Sequence, residues 1–188
     1  MLLKDMVNQI AALEASTFSD AWSKESLMDT LDKDYNIIFF MCTYEGISRI
    51  YRIKKNQDVL CYEKTSDENW NLRVFDYKDI SQEGTSCDQV KSWGIEGYIV
   101  ANLICDETEL LRIAVDETKR GKGIGSTLME FYLNDVSDEC EKAFLEVRAS
   151  NQGARGLYEN IGYQEISKRT AYYNNPIEDG IIYQYDFL

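Results

Sequence analysis

Apolar residues recur along this chain in two rhythms, and the switches between them mark its elements. Val7, Ile10, Ala11 and Phe18, with Leu13 beside them, follow a helical repeat and predict a helix over residues 3–18. After a short SDAW connection, Ser23 is suited to cap a second helix in which Leu27 and Leu31 share a face. Asn36–Tyr44 is β-rich and ends at Glu45-Gly46, a hairpin-turn pair. Strand-like pieces follow at Ile47–Ile53, Val59–Tyr62 and Leu72–Tyr77, separated by charged stretches, and SQEGTSCDQVKSW (81–93) reads as a loop. Ile95–Cys105 is a strand, and Asp106-Glu107-Thr108 reads as the turn of an antiparallel hairpin into the apolar run Leu110–Val115. Asp116–Lys122 is polar and turn-like, and Ile124, Leu128, Phe131 and Tyr132 then return to helical spacing. Ala143–Arg148 is a strand, and Gln152–Ile161 a helix with Ala154, Leu157, Tyr158 and Ile161 on one stripe. Gly162 follows it as a C-terminal left-handed residue. Tyr163–Arg169 and Ile181–Leu188 complete the strands, joined by the loop YYNNPIEDG (172–180) with the only proline. The expected class is α/β (α+β): one domain over 1–188, a mixed central sheet flanked by helices, with an inserted β-containing segment at about 47–93.

The charge balance narrows the function. With Lys plus Arg at 20 and Asp plus Glu at 33, the net charge is −13. Such a surface repels nucleic acid phosphates and attracts amines or basic peptides. The chain has no histidine, so Ser-His-Asp and Cys-His arrangements and the commonest zinc ligand are excluded. Proton transfer falls to Glu, Asp, Tyr, Lys, Cys or water. Cysteines 42, 61, 87, 105 and 140 are odd in number and form no C-x-x-C, which fits buried thiols in a reducing cytoplasm rather than a metal site. MLLKDMVNQ lacks a signal-peptide core, and the apolar run Ile37–Cys42 is too short to span a bilayer, so a cytoplasmic protein without membrane contact is expected.

The densest chemical signal is LLRIAVDETKRGKGIGSTLMEFYL (110–133), a strand, a glycine loop and a helix. Backbone N–H groups in the first turn of a helix have no intrahelical partner, and glycines let a phosphate approach them. Lys119, Arg120 and Lys122 add cations. The loop lacks G-x-x-x-x-G-K-[ST], and Ser126 breaks a G-x-G-x-x-G dinucleotide fingerprint. Outside the loop, Glu146 stands mid-strand in AFLEVR, on one face with Phe144 and Arg148. It is either an ion-paired surface carboxylate, with Arg148 or another cation, or a general base. Tyr158 is either core or a phenolic acid. Asn151 can cap the following helix or bond a ligand amide. Trp22 can staple the second helix or line a binding surface.

Read from Arg120, the loop is R-x-x-G-x-G and resembles the acetyl-CoA loop of the GNAT acetyltransferases. LEVRASNQGARGLYENIGY (145–163) resembles the second half of that family, most closely its RimI-type ribosomal-protein N-terminal acetyltransferases. IAVDETKRGKGIGSTLM, AYYNNPIEDGIIYQ and FSDAWS resemble that group's cofactor segment, substrate-side loop and acceptor-side loop. The resemblance spans about residues 3–46 and 94–188. It implies the GNAT fold, with acetyl-CoA as co-substrate and no metal. The acceptor amine is then a basic peptide or protein N-terminus, a ribosomal protein above all, with no direct nucleic acid binding. Ile113, Ala114 and Val115 would lie along the pantetheine arm. Arg120, Gly121, Lys122, Gly123, Ile124, Gly125 and Ser126 would hold the pyrophosphate, and Asn151 would contact the pantetheine end. Glu146 is then the base, Tyr158 the acid, and Trp22, Tyr172 and Tyr173 shape the acceptor site. Ala21 replaces the proline of F-P-W-S, and 47–93 lies outside the compact family pattern; both departures fall on or near the expected acceptor side. Three alternatives stay open: a GNAT acting on lysine side chains, a polyamine or another small amine; a non-catalytic acetyl-CoA-binding interaction protein; and a dinucleotide oxidoreductase.

Overall fold

The structure is a computed structural model that describes residues 2–64, 69–75 and 94–187. The chain begins with α1 (Leu2–Thr17) and α2 (Lys24–Leu31), and Ser23 caps α2 by accepting the Ser26 N–H at 3.1 Å. Four strands follow: β1 (Asn36–Tyr44), β2 (Ile47–Lys54), β3 (Val59–Lys64) and β4 (Trp70–Phe75). The hairpin β5 (Ile95–Ile104) and β6 (Glu107–Val115) leads through a 3-10 turn (Glu117–Lys119) into α3 (Ile124–Val136). The chain ends with β7 (Lys142–Arg148), α4 (Gln152–Ile161), β8 (Gln164–Tyr173) and β9 (Glu178–Asp186).

Three boundaries depart from the sequence reading. Glu107 and Thr108 are strand rather than turn, because Cys105 at φ 58 lets the hairpin close one step earlier. That leaves Cys105 exposed, while Cys42, Cys61 and Cys140 are buried as expected. The loop expected at 172–180 is shorter, since Tyr173 pairs with Glu178 and extends both last strands. Tyr77, Cys87 and the loop expected at 81–93 lie outside the described residues.

The strands form one sheet in the order β4-β3-β2-β1-β5-β6-β7-β9-β8. Only β6 and β7 are parallel, as the helical crossover between them requires. β1 is apolar on both faces because both are covered. Ile37 and Phe39 join the core beneath α3, and Ile38 and Phe40 join the core beneath α1 and α2. Gly97 sets how closely α3 lies on the sheet: a Cβ there would come 3.0 Å from the Ala114 carbonyl oxygen and 3.0 Å from Ile124. The far side of the sheet also reaches α3, where Tyr62 and Trp70 pack on Phe131 with ring centroids 4.8 and 4.9 Å away. The described part of the 47–93 segment therefore extends the sheet at the edge opposite β8.

Candidate active site

The parallel pairing of β6 with β7 is short. Its register runs from Glu107 opposite Lys142 to Leu110 opposite Leu145, and then the strands part. The phase of the neighbouring ladder shows what is left open. The Asp116 N–H donates to the Glu96 carbonyl at 2.9 Å, and antiparallel bonding alternates. Ala114 is thus turned to Tyr98 on β5, with its side chain in the core, while the backbone N–H and C=O of Ile113 and the N–H of Val115 face the gap, the Val115 C=O there accepting from Arg120. A sheet interior carries such unpaired groups only where something else bonds them.

The glycine loop crosses the wide end of this gap. Gly121 and Gly123 take φ of 73° and 80°, and a Cβ at either would meet nothing within 4 Å, so the backbone stands bare. α3 starts at Gly123 with no side-chain cap and no acidic residue in its first turn, which leaves its N–H groups and partial positive charge to an anion. Ile124 is buried and anchors the helix, whereas Arg120, Lys122 and Ser126 are exposed. Gly125 is needed for packing, since a Cβ there would stand 3.3 Å from Leu157 of α4. The loop cations have separate fates. Lys119 pairs with Glu96 at 2.7 Å, Arg120 donates to the Val115 carbonyl at 3.2 Å, and Lys122 has no partner among the described residues.

On the opposite face, Glu146 leans from β7 over Gly180 of β9 to meet Arg169 of β8 at 3.0 Å. A Cβ on Gly180 would stand 3.3 Å from the Glu146 carboxyl carbon and 3.3 Å from the Tyr172 ring. The ion-pair partner of Glu146 is thus Arg169, not its strand neighbour Arg148. Tyr173 stands beside Glu146; burial first, and then the charge of Glu146, raise the Tyr173 phenol well above its ordinary value. Tyr173 is also close enough to Tyr158 for its charge to act there, although burial is the main cause that raises Tyr158. The Tyr158 ring packs against Tyr163 and Tyr183, and its hydroxyl has no hydrogen-bond partner among the described residues. Tyr173 thus has Glu146 and Tyr158 as electrostatic neighbours, with no hydrogen bond to Tyr158. A groove of about 400 Å³ runs past Glu146 along the sheet face, with Phe144, Ile182 and Tyr172 in its wall.

Comparison with known proteins identifies the family that this fold belongs to. Residues 50–163, more than half of the chain, match the acetyltransferase (GNAT) family model. The chain belongs to the GNAT family. It is 33% identical over 123 residues to the [ribosomal protein bS18]-alanine N-acetyltransferase of Escherichia coli, which covers 63% of this chain and 72% of that enzyme. Its fold superposes on the crystal structure of the E. coli ribosomal-protein-S18-alanine N-acetyltransferase with a TM-score of 0.62, at 20% identity, over 96% of this chain and 87% of that one. Arabidopsis thaliana NAA60 in complex with acetyl-CoA gives a TM-score of 0.62 at 14% identity, over 96% and 92% of the two chains. The protein is thus an acetyl-CoA-dependent N-acetyltransferase with the GNAT fold. The bare loop, the uncapped helix and the open backbone of β6 suit a pyrophosphate followed by an amide-bearing arm. The family match begins at Ile50, inside the segment expected to be an insertion. Among the described residues no helix is long and apolar enough to cross a membrane, and no group of three His, Cys, Asp or Glu could hold a metal ion.

The other residues expected at the site stand at three places: Asn151 at the start of α4, Trp22 before α2, and Tyr172 and Tyr173 at the end of β8. Asn151 caps α4, its Oδ1 accepting the Ala154 N–H at 3.2 Å, which leaves its amide nitrogen as the free donor. Trp22 shares the core cluster with Leu27, as a staple requires, and also lies under the Arg112 guanidinium at 5.1 Å. Its backbone N–H donates to buried Glu14 at 2.7 Å, and Glu14 also takes the Tyr98 hydroxyl. Burial raises the Glu14 carboxyl despite these donors. Tyr172 is exposed beside Arg169, and Tyr173 lies under Arg148 at 4.3 Å. Between Arg169 and Tyr173 β8 bulges, with Ala171 at φ 52° held by an N–H bond to Asp179 at 2.8 Å. The bulge re-aims both tyrosines.

Sequence reasoning missed Arg169 and Gly180, and named Arg148 only as one possible partner of Glu146. Arg148 donates to the Asn174 carbonyl at 3.3 Å and to Glu178 at 3.3 Å, and so fixes the β8–β9 loop. Only Gly180 carried a signal, a lone glycine entering a strand, which marks a close approach.

Proposed function

We propose that this acetyltransferase acts on the N-terminal α-amine of a protein, a ribosomal protein above all, by direct attack in a ternary complex. The observation that carries the reading is Glu146, held by Arg169 over Gly180 and opening on a groove on the sheet face away from α3. An amine must be neutral to attack a thioester. An α-amino group has a pKa of about 8, whereas lysine at about 10.4 needs more help from a base. One carboxylate is adequate for the first. Glu146 accepts the amine proton, directly or through a water. Tyr158 protonates the departing thiolate, for which its raised pKa keeps it in the neutral form. The free Val115 N–H donates to the oxyanion that develops at the carbonyl. Arg120, Lys122 and the amides of residues 121–126 hold the pyrophosphate, and Ile113 and Asn151 bond the amides of the arm. Trp22 and Tyr172 bound the acceptor entrance. The ribosomal-protein activity named for the relatives supports this choice of acceptor.

The test is thiol release from acetyl-CoA with free N-terminal Ala, Ser and Met peptides, an N-blocked lysine peptide and spermidine. Turnover confined to the free N-terminal peptides is expected. Turnover only with the lysine peptide or spermidine would overturn the acceptor while keeping the chemistry.

A further inference from the structure

The groove does not end at Glu146. Two residues back on the same face of β7 is Phe144, which stands opposite Glu109 of β6; two further back, Lys142 stands opposite Glu107. Both Glu107 and Glu109 line the groove, are exposed, and have no ion-pair partner among the described residues. The one cation in the lining, Arg169, is already paired with Glu146. The far end of the groove therefore brings two carboxylates, with Lys142 across from Glu107 as the nearest cation on β7, next to the apolar surfaces of Phe144, Ile182 and Ile104.

A strand rises about 3.3 Å per residue, so Glu109 and Glu107 lie about 7 and 13 Å beyond the level of Glu146. An extended peptide has the same rise, and its odd-numbered side chains share one face. With the first residue's amine at Glu146, the third side chain comes level with Glu109 and the fifth with Glu107. A Lys or Arg stem would lie on the apolar wall while its head meets the carboxylate. We propose that this groove reads the acceptor itself, as a subsite for an extended N-terminal segment with a basic third or fifth residue. The proposal rests on the α-amine reading above and adds which part of the substrate selects the enzyme.

The test is calorimetric binding, to the CoA-saturated full chain, of Ala-Ala-Lys-Ala-Lys and Ala-Ala-Gln-Ala-Gln peptides with blocked C-termini. The basic peptide should bind roughly fivefold to tenfold tighter at low salt, as two exposed charge pairs allow, with the gap shrinking in high salt. The Glu107→Gln/Glu109→Gln double variant should bring the two affinities to within about twofold of each other. Should the double variant fold poorly, Glu109→Lys alone should invert the preference. An unchanged ratio in a folded variant overturns the proposal, as does equal preference for basic residues at the second and fourth positions. Spermidine displacing the basic peptide, and losing that advantage in the variant, would replace the peptide by a polyamine and overturn it too. If the ratio is found but neither peptide is acetylated, the subsite stands and the α-amine reading falls.

Discussion

The two sides of the gap between β6 and β7 are built in opposite ways. On the α3 side the proposed ligand groups are mostly backbone amides of residues 113–126, joined by the side chains of Arg120, Lys122 and Asn151, and what matters most there is the side chains that are missing at Gly121 and Gly123. On the acceptor side they are side chains brought together from β7, α4 and β8, with Gly180 of β9 clearing the space between them. The glycine-loop part of the α3 side is specified by local conformation, whereas the open backbone of β6 follows from where β6 and β7 part. A side-chain site depends on strand order and register, so its selectivity can change while its partner site stays fixed.

Substitutions on either side should therefore separate cleanly in kinetics. The largest effect is expected from Glu146→Gln, which should lower kcat by about 10²–10⁴-fold while acetyl-CoA affinity, read by titration, holds. An unchanged kcat across pH would remove Glu146 from the mechanism. Next is Gly123→Val. Its left-handed backbone costs about 1–2 kcal/mol with any β-carbon, and the added side chain covers the bare amides. Acetyl-CoA affinity should fall by an order of magnitude or more, with acceptor KM unmoved at saturating cofactor; equal losses in both would deny the separation.

Gly180→Ala should give a smaller effect of the opposite kind. Its Cβ pushes on Glu146 by tenths of an ångström, so kcat should fall by up to about tenfold with acetyl-CoA affinity intact. Unaltered kcat would show that the carboxylate tolerates displacement. The smallest effect concerns Glu14, which seats Trp22. Its carboxyl is raised by burial, so the folded chain holds that proton more tightly than the unfolded one. The stabilisation is complete below the ordinary carboxylate range and is lost as pH rises through the folded value. Glu14→Gln should flatten that decline, changing the Tm difference across the window by roughly 2–4 °C per kcal/mol of linkage. Parallel Tm profiles for the two proteins would contradict it.

What could be read from the sequence follows the same division. The glycine loop, both helix caps at Ser23 and Asn151, and the face shared by Phe144, Glu146 and Arg148 were legible, because each is set within one turn or one pleat. Arg169 was not. It lies far from Glu146 in the chain and reaches it only because β9 inserts between β7 and β8. For the same reason the sequence left the partner of Glu146 open between Arg148 and another cation, and the structure resolves it to Arg169, while Arg148 pairs with Glu178. The end of β8 was set too early, since alternation lapses at the bulge that carries Tyr172 and Tyr173.

The sequence by itself determined the elements, the anion-ready loop and the family, because helical period, strand alternation and glycine placement are local properties. Tertiary structure alone decided which backbone groups of β6 stay open, which cation Glu146 meets, and that Glu107 and Glu109 extend its groove. Those depend on where parallel strands part and which strands become neighbours, and pairing across a sheet is a long-range choice that no local pattern encodes.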